Sequence, residues 1–130
     1  GLPMAVAAAV YDRDIPTVVF LGDGGIGMFI AEIKIAVINR LPLIVVLMSD
    51  GYFGSIRWRS IRDGLTEKPV TINQPSWQKV VKGLGATAVR AKSGEEIESI
   101  LYSWNPSIGP LFIEIPFDPD DYMEMVDNIR

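Results

Sequence analysis

Two apolar runs, each closed by an Asp-Gly turn and separated by a helical stretch, limit this chain more than any other feature. Thr17 to Leu21 lies behind Pro16 and ahead of Gly22-Asp23-Gly24-Gly25. Leu43 to Met48 is apolar at every position and stops at Ser49-Asp50-Gly51. An unbroken run of that length suits a parallel strand covered on both faces. The intervening residues, Ile26 to Asn39, read as one helix that is apolar nearly all round, interrupted by Glu32, Lys34 and Asn39. Such a helix is expected to be buried on more than one side, including against another subunit. Strand, helix and parallel strand form a βαβ unit, and the remaining pattern extends it.

An opening helix is expected over about Pro3 to Tyr11, with proline in its first turn. Tyr52 to Arg62 reads as a loop entering a short helix, and Asp63 to Pro75 as irregular chain. Trp77, Val80, Val81 and Leu84 follow i, i+3, i+4, i+7 spacing and predict a helix ahead of Gly83 and Gly85. Thr87 to Arg90 is a short strand, and Ser93-Gly-Glu-Glu96 is a capping box before the stripe Ile97, Ile100, Leu101, Trp104. Asn105-Pro106 ends that helix, and Leu111 to Pro116 is the last strand, ahead of an acidic tail. The alternation specifies an α/β fold: an open parallel sheet with helices on both faces, residues 1–130 forming one domain. The opening Gly1-Leu-Pro-Met reads as the inside of a small-residue helix, so the chain is expected to be a fragment of a longer multidomain protein.

Composition narrows the chemistry. The 130 residues contain no Cys and no His, which removes thiolate nucleophiles, zinc–thiolate sites and the commonest general base. A hard, oxygen-preferring cation such as Mg²⁺ is the metal such a chain would favour. The net charge of −4 argues against a nucleic-acid partner. No apolar run approaches the about 18 residues that cross a bilayer, and with no leader pattern the expectation is a cytoplasmic protein.

Ligands of open parallel sheets bind beyond the carboxyl ends of the strands. Both Asp-Gly turns lie there. By letters, Gly22, Gly24 and Gly27 spell G-x-G-x-x-G, with Asp50 ending the next strand, which is the dinucleotide-binding fingerprint. The charge of Asp23 argues otherwise. A carboxylate between the first two glycines would lie beside a bound diphosphate and repel it unless a cation bridged them. Mg²⁺ takes one or two carboxylates together with substrate phosphates, so Asp23 and Asp50 suit a metal–diphosphate site.

Gly22-Asp23-Gly24, then 24 residues, then Ser49-Asp50 resembles the GDG…NN signature of thiamine-diphosphate enzymes. GLPMAVAAA before it, GDGGIGMFIAEIKIAV through the helix and SDGYFGSIRW after the second strand keep the family's register across essentially the whole chain. The resemblance implies the diphosphate-binding domain of such an enzyme. It implies Asp23, Asp50 and the Tyr52 carbonyl as ligands of Mg²⁺. It also implies Gly22, Gly24, Gly25 and Ile26 at the diphosphate, with Gly51, Phe53 and Gly54 near the cofactor. Two departures stand out: Ser49-Asp50 replaces Asn-Asn, and Gly25 replaces a frequent Ser that hydrogen-bonds phosphate. The family's chemistry is decarboxylation of 2-oxo acids, or transfer of the resulting acyl unit to a second carbonyl compound. Its activating Glu comes from the pyrimidine-binding domain of a neighbouring subunit, so a homo-oligomer is implied and the isolated piece is expected to catalyse nothing. GPLFIEIPFDPDDYMEM resembles acetolactate synthases, the favoured member, whereas SDGYFGSIRW is nearer benzoylformate decarboxylase-like lyases.

Simpler readings stand beside these. Asp23 could be a helix N-cap, and Asp50 merely the Asp of an Asp-Gly turn. Glu32 reads as structural or as an interface residue. Arg57, Arg59 and Arg62 read as a solvated or partner-facing group, and Trp58, Trp77 and Trp104 as packing residues. A dinucleotide-binding domain and a degenerate, non-catalytic scaffold remain as alternatives of other classes.

Overall fold

The computed structural model describes residues 1–72 and 76–121. Four strands, β1 (Thr17–Gly22), β2 (Leu43–Ser49), β3 (Thr87–Arg90) and β4 (Leu111–Pro116), form one parallel sheet in the order β1-β2-β4-β3. Around it lie α1 (Leu2–Tyr11), α2 (Asp23–Ile26), α3 (Ile33–Ile38), α4 (Gly54–Arg62), α5 (Trp77–Gly83) and α6 (Gly94–Ser103). The open parallel sheet with flanking helices is the architecture the alternating pattern specifies.

Strand β2 is central, and its uniform apolarity has a direct cause. Leu43, Val45 and Leu47 enter a core shared with Leu2, Ala9, Ile33, Ala36 and Val81. Ile44 and Val46 enter a second core on the opposite face with Leu111 and Ile113, against which Ile97, Ile100 and Trp104 of α6 pack. Edge strand β1 is covered on one face only: Val19 and Leu21 meet the first core, while Val18 and Phe20 are 50% and 70% exposed.

The helix expected over 26–39 is broken. Helix α2 is a single turn, after which Phe29 takes φ −135, ψ 10, a 3₁₀ turn spans Ile30–Glu32, and α3 follows. Glycines at 24, 25 and 27 explain the break, since each weakens helix by about 1 kcal/mol relative to Ala. Within this chain Met28, Phe29, Ile35 and Ile38 of this stretch are exposed. Helix α3 ends where Arg40 adopts φ 48, which lets the fully buried Leu41 donate its N–H to the Ala36 carbonyl.

Elsewhere the local signals act as written. Ser93 Oγ accepts the Glu96 N–H at the start of α6, while the Glu96 carboxylate reaches back to the Lys92 N–H, one residue before the N-cap. Residues 63–72, expected to be irregular, contain a 3₁₀ turn at Lys68–Val70 and a bridge pairing Thr71 with Tyr52. The end of that segment at 73–75 and the tail beyond 121 lie outside the described residues. No helix among the described residues is long and apolar enough to cross a membrane.

Candidate functional site at the carboxyl ends of β1 and β2

The register pairs Gly22 with Met48, so the turns that follow β1 and β2 emerge side by side. Gly22 is the N-cap of α2, and Asp23 stands in the helix's first position rather than at the cap. Its carboxylate turns toward the neighbouring strand, where Oδ2 accepts the Gly51 N–H at 2.8 Å and the Ser49 hydroxyl at 3.2 Å. The N-cap reading of Asp23 therefore fails. This side chain joins two strand ends and is only 4% exposed.

Burial pushes the Asp23 carboxyl above the usual aspartate range, and the charge of Asp50 pushes the same way; hydrogen bonds from Gly51, Ser49 and Gly24 pull it back in part. Asp50 does serve its turn, as the simpler reading held: Oδ1 accepts the Tyr52 N–H at 2.9 Å. That bond also fixes the carboxylate near Asp23. Gly51 has φ +79, a left-handed conformation that a side chain would strain, and it swings the chain back toward the site.

The turn is held from outside. Phe53 donates its N–H to the Val70 carbonyl at 2.9 Å, and Ile72 donates to the Gly51 carbonyl at 2.8 Å. These two bonds make the Tyr52–Thr71 bridge and leave the Tyr52 carbonyl outside the ladder. Two carboxylates and that carbonyl are hard oxygen donors of the type Mg²⁺ takes, and a cation between the acids would relieve their repulsion. On donor chemistry, the residues fit a divalent cation.

A cavity of ≈ 670 Å³ opens above the acids, lined by Gly22, Asp23, Gly24, Gly25, Asp50, Tyr52, Phe53 and Gly54. Eight of the ten positions singled out from the sequence thus meet at one place. The other two differ. Gly51 contributes its N–H to Asp23, and Ile26 is 1% exposed in the core, so only its main chain is available to a ligand. Glu32, half-buried, is not among the lining residues.

Met48, Ser55, Ile56, Phe117 and Asp121 also line the cavity and were not anticipated. Phe117 and Asp121 follow β4, and the strand-end rule that located Asp23 and Asp50 applies to β4 as well. What hid them was strand order, because β4 lies next to β2.

The arginine group is not uniform. Arg62 is exposed and pairs with Asp63, its guanidinium 4.8 Å from the Trp58 ring, whereas Arg57 is buried. The tryptophans are packing residues: Trp58 and Trp77 are buried, and Trp104 donates its indole N–H to the Gly109 carbonyl.

The dinucleotide reading needs a helix whose N-terminus cradles the pyrophosphate. Here the helix after the glycines is four residues long.

Comparison with known proteins places the fold and the family. Acetolactate synthase of Bacillus subtilis is 22% identical over 98% of this chain, which spans 22% of that protein. Benzoylformate decarboxylase of Pseudomonas aeruginosa is 27% identical over 89% of this chain, again 22% of its own length. The chain thus spans about a fifth of these relatives. Among solved structures, the fold matches benzoylformate decarboxylase from Polynucleobacter necessarius with a TM-score of 0.80 at 20% identity, over 91% of this chain and 23% of that one. It matches the thiamine diphosphate-dependent 4-hydroxybenzoylformate decarboxylase of Rhodococcus jostii with a TM-score of 0.78 at 21% identity, over 91% and 23%. Residues 1–115 match the family described as thiamine pyrophosphate enzyme, C-terminal TPP binding domain, and the chain belongs to that family.

Proposed function

We propose that this chain holds the diphosphate of thiamine diphosphate through Mg²⁺, as one domain of a 2-oxo acid decarboxylase or carboligase. The observation that carries the reading is the buried Asp23 facing Asp50 at adjoining strand ends, at the base of the cavity. Asp23, Asp50 and the Tyr52 carbonyl would hold the cation. Gly24 would let the backbone approach the diphosphate, and Gly25 lies beside it on the cavity wall. Phe53, Ile56 and Phe117 would shield the organic part of the cofactor from water. When bound, the cofactor supplies the electron sink for cleaving the bond to a 2-oxo acid's carboxyl group.

Ser49 and Asp50, where the family has Asn-Asn, are at work in this arrangement. The Ser49 hydroxyl orients Asp23, and Asp50 is oriented by the Tyr52 N–H. The Ser49–Asp23 contact weighs against a degenerate scaffold. Within the family the reading favours an acetolactate synthase-like reaction, on the sequence resemblance of the Gly109-Pro110 entry to the last strand and the Asp118 segment after it. The benzoylformate decarboxylase-like alternative is supported by the Gly54-Ser-Ile-Arg-Trp58 stretch, part of which lines the cavity. The exposed Met28, Phe29, Ile35 and Ile38 suit a face covered by a neighbouring subunit, which would bring its pyrimidine-binding domain.

Calorimetric titration of the complete protein with thiamine diphosphate tests the core of the reading. Binding is expected to require Mg²⁺, to vanish with chelator, and to be lost in Asp23→Ala. Equal binding with chelator present would overturn the metal bridge, and metal-independent NAD(P) binding would favour the dinucleotide alternative.

A further inference from the structure

Arg57 is the buried cation among the described residues, 9% exposed, yet it does not line the cavity. Its Nε donates to Glu67 Oε2 at 2.7 Å and its Nη2 to Asp120 Oδ1 at 3.0 Å. The guanidinium carbon stands 4.6 Å from the centre of the Tyr52 ring. The remaining end, Nη1, is buried with no hydrogen-bond partner. For stability alone this is a poor arrangement, since burying a charge and leaving a donor unpaired are both costly. Buried ion pairs are weak evidence of stabilisation in any case.

The three partners belong to three segments around the cavity. Tyr52 is in the turn after β2, and its carbonyl is one of the metal donors assigned above. Glu67 is in the connection paired to that turn through Val70 and Ile72. Asp120 is in the segment after β4, whose Phe117 and Asp121 line the cavity. The Asp120 side chain is 77% exposed, so its ion pair with Arg57 is the contact that ties it inward.

We propose that Arg57 is a positioning residue: it draws the segment after β4 against the Tyr52 turn and thereby sets the cavity wall and the aim of the Tyr52 carbonyl. This rests on the reading that the cavity takes Mg²⁺ and thiamine diphosphate. A planar guanidinium can bond two carboxylates from different segments while lying over an aromatic ring, and a lysine ammonium cannot do all three.

The test is a mutant cycle in the complete protein with Asp120→Asn, Arg57→Met and Arg57→Lys. Thiamine diphosphate affinity is measured by calorimetry at saturating Mg²⁺, and the melting temperature is measured without metal or cofactor. Asp120→Asn is expected to raise Kd about 2- to 5-fold, in line with an exposed ion pair. Its melting temperature should not change. Arg57→Met is expected to raise Kd about 10-fold or more, as loss of an outer partner of a metal site does. Arg57→Lys should fail to restore it, and Asp120→Asn should add nothing in Arg57→Met. Wild-type affinity in Asp120→Asn, or a penalty that persists without Arg57, overturns the proposal while leaving the metal–diphosphate reading intact. If Arg57→Met does not fold, Arg57→Gln, which has no charge to pair with Asp120, closes the cycle. No Mg²⁺-dependent binding by the wild type would overturn both readings together.

Discussion

Replacing Gly25 by Ser should strengthen cofactor binding. The reason lies in the difference between two adjacent glycines. A Cβ on Gly24 would stand 2.9 Å from Phe53 Cδ1, whereas a Cβ on Gly25 would meet nothing within 4 Å. Gly25 lies in helix α2, lines the cavity and has no positive φ, so a side chain there is unstrained and faces ligand space. A hydroxyl at this point can donate to a diphosphate oxygen, a bond worth about 0.5–1.5 kcal/mol at a site open to water. That corresponds to a Kd about 2- to 12-fold lower. Gly25→Ala is the control, because either substitution firms the helix, Ala by about 1 kcal/mol. Comparing Ser with Ala isolates the hydroxyl. Calorimetry of both variants in the complete protein at saturating Mg²⁺ reads the difference. Equal affinities for Ser and Ala, with both melting temperatures raised, would refute the placement of the diphosphate beside Gly25.

Other substitutions probe the same floor. Asp23→Asn keeps an acceptor for Gly51 and Ser49 but removes the charge; Mg²⁺-dependent binding should weaken at least about 10-fold, while the metal-free protein melts higher at neutral pH. The pH dependence has a fixed sign. Burial raises the Asp23 pKa in the fold, so the contribution of this group to metal-free stability is fully present below the ordinary aspartate range and is lost as pH rises through the raised value. The difference between the melting temperatures of wild type and Asp23→Asn in chelator should show that slope. Protons compete with the cation for the same carboxylate, so the Mg²⁺ concentration for half-saturation should climb on acidification, starting above the about 3.9 of a free aspartate. Gly24→Ala should move Phe53, which is 41% exposed and able to rotate, at a strain cost of about 1 kcal/mol that offsets the helix gain from Ala. Its cofactor affinity should fall while Gly25→Ala retains wild-type affinity, a contrast the same titrations measure.

Much of this was legible in the sequence because parallel strands write themselves as apolar runs with hard stops. Thr87–Arg90 and Leu111–Pro116 fall where those signals put them, and the acids end β1 and β2 because Gly and Asp punctuate both runs. The broken helix was not legible. Hydrophobic spacing reports which residues face a core, but it does not report that three glycines make the first turn too weak to carry on past Phe29. Arg57 was misread for another reason. An arginine beside Arg59 and Arg62 looks solvated until its partners are known, and Glu67 and Asp120 lie 10 and 63 residues away in sequence. Phe117 and Asp121 were hidden by strand order, which no local stretch of sequence encodes.

The broken helix and the acid inside the glycine turn have a common consequence. A diphosphate held by a helix N-terminus relies on a long array of aligned peptide dipoles and on a turn free of negative charge. This chain has neither, since α2 ends after one turn and Asp23 occupies its first position. The strand end beside it adds a second acid, Asp50, whose charge raises the proton affinity of the first. In the metal-free protein the base of the cavity therefore repels the anion it is proposed to bind. A divalent cation held by Asp23 and Asp50 would reverse the sign of the site, supplying the positive charge a diphosphate needs there. Cation and diphosphate should then bind cooperatively, each raising the affinity of the other by the same factor. The spelling G-x-G-x-x-G is shared with dinucleotide folds, but that reciprocal dependence is not. Titrating each ligand in the presence and absence of the other separates the two chemistries without reference to any reaction.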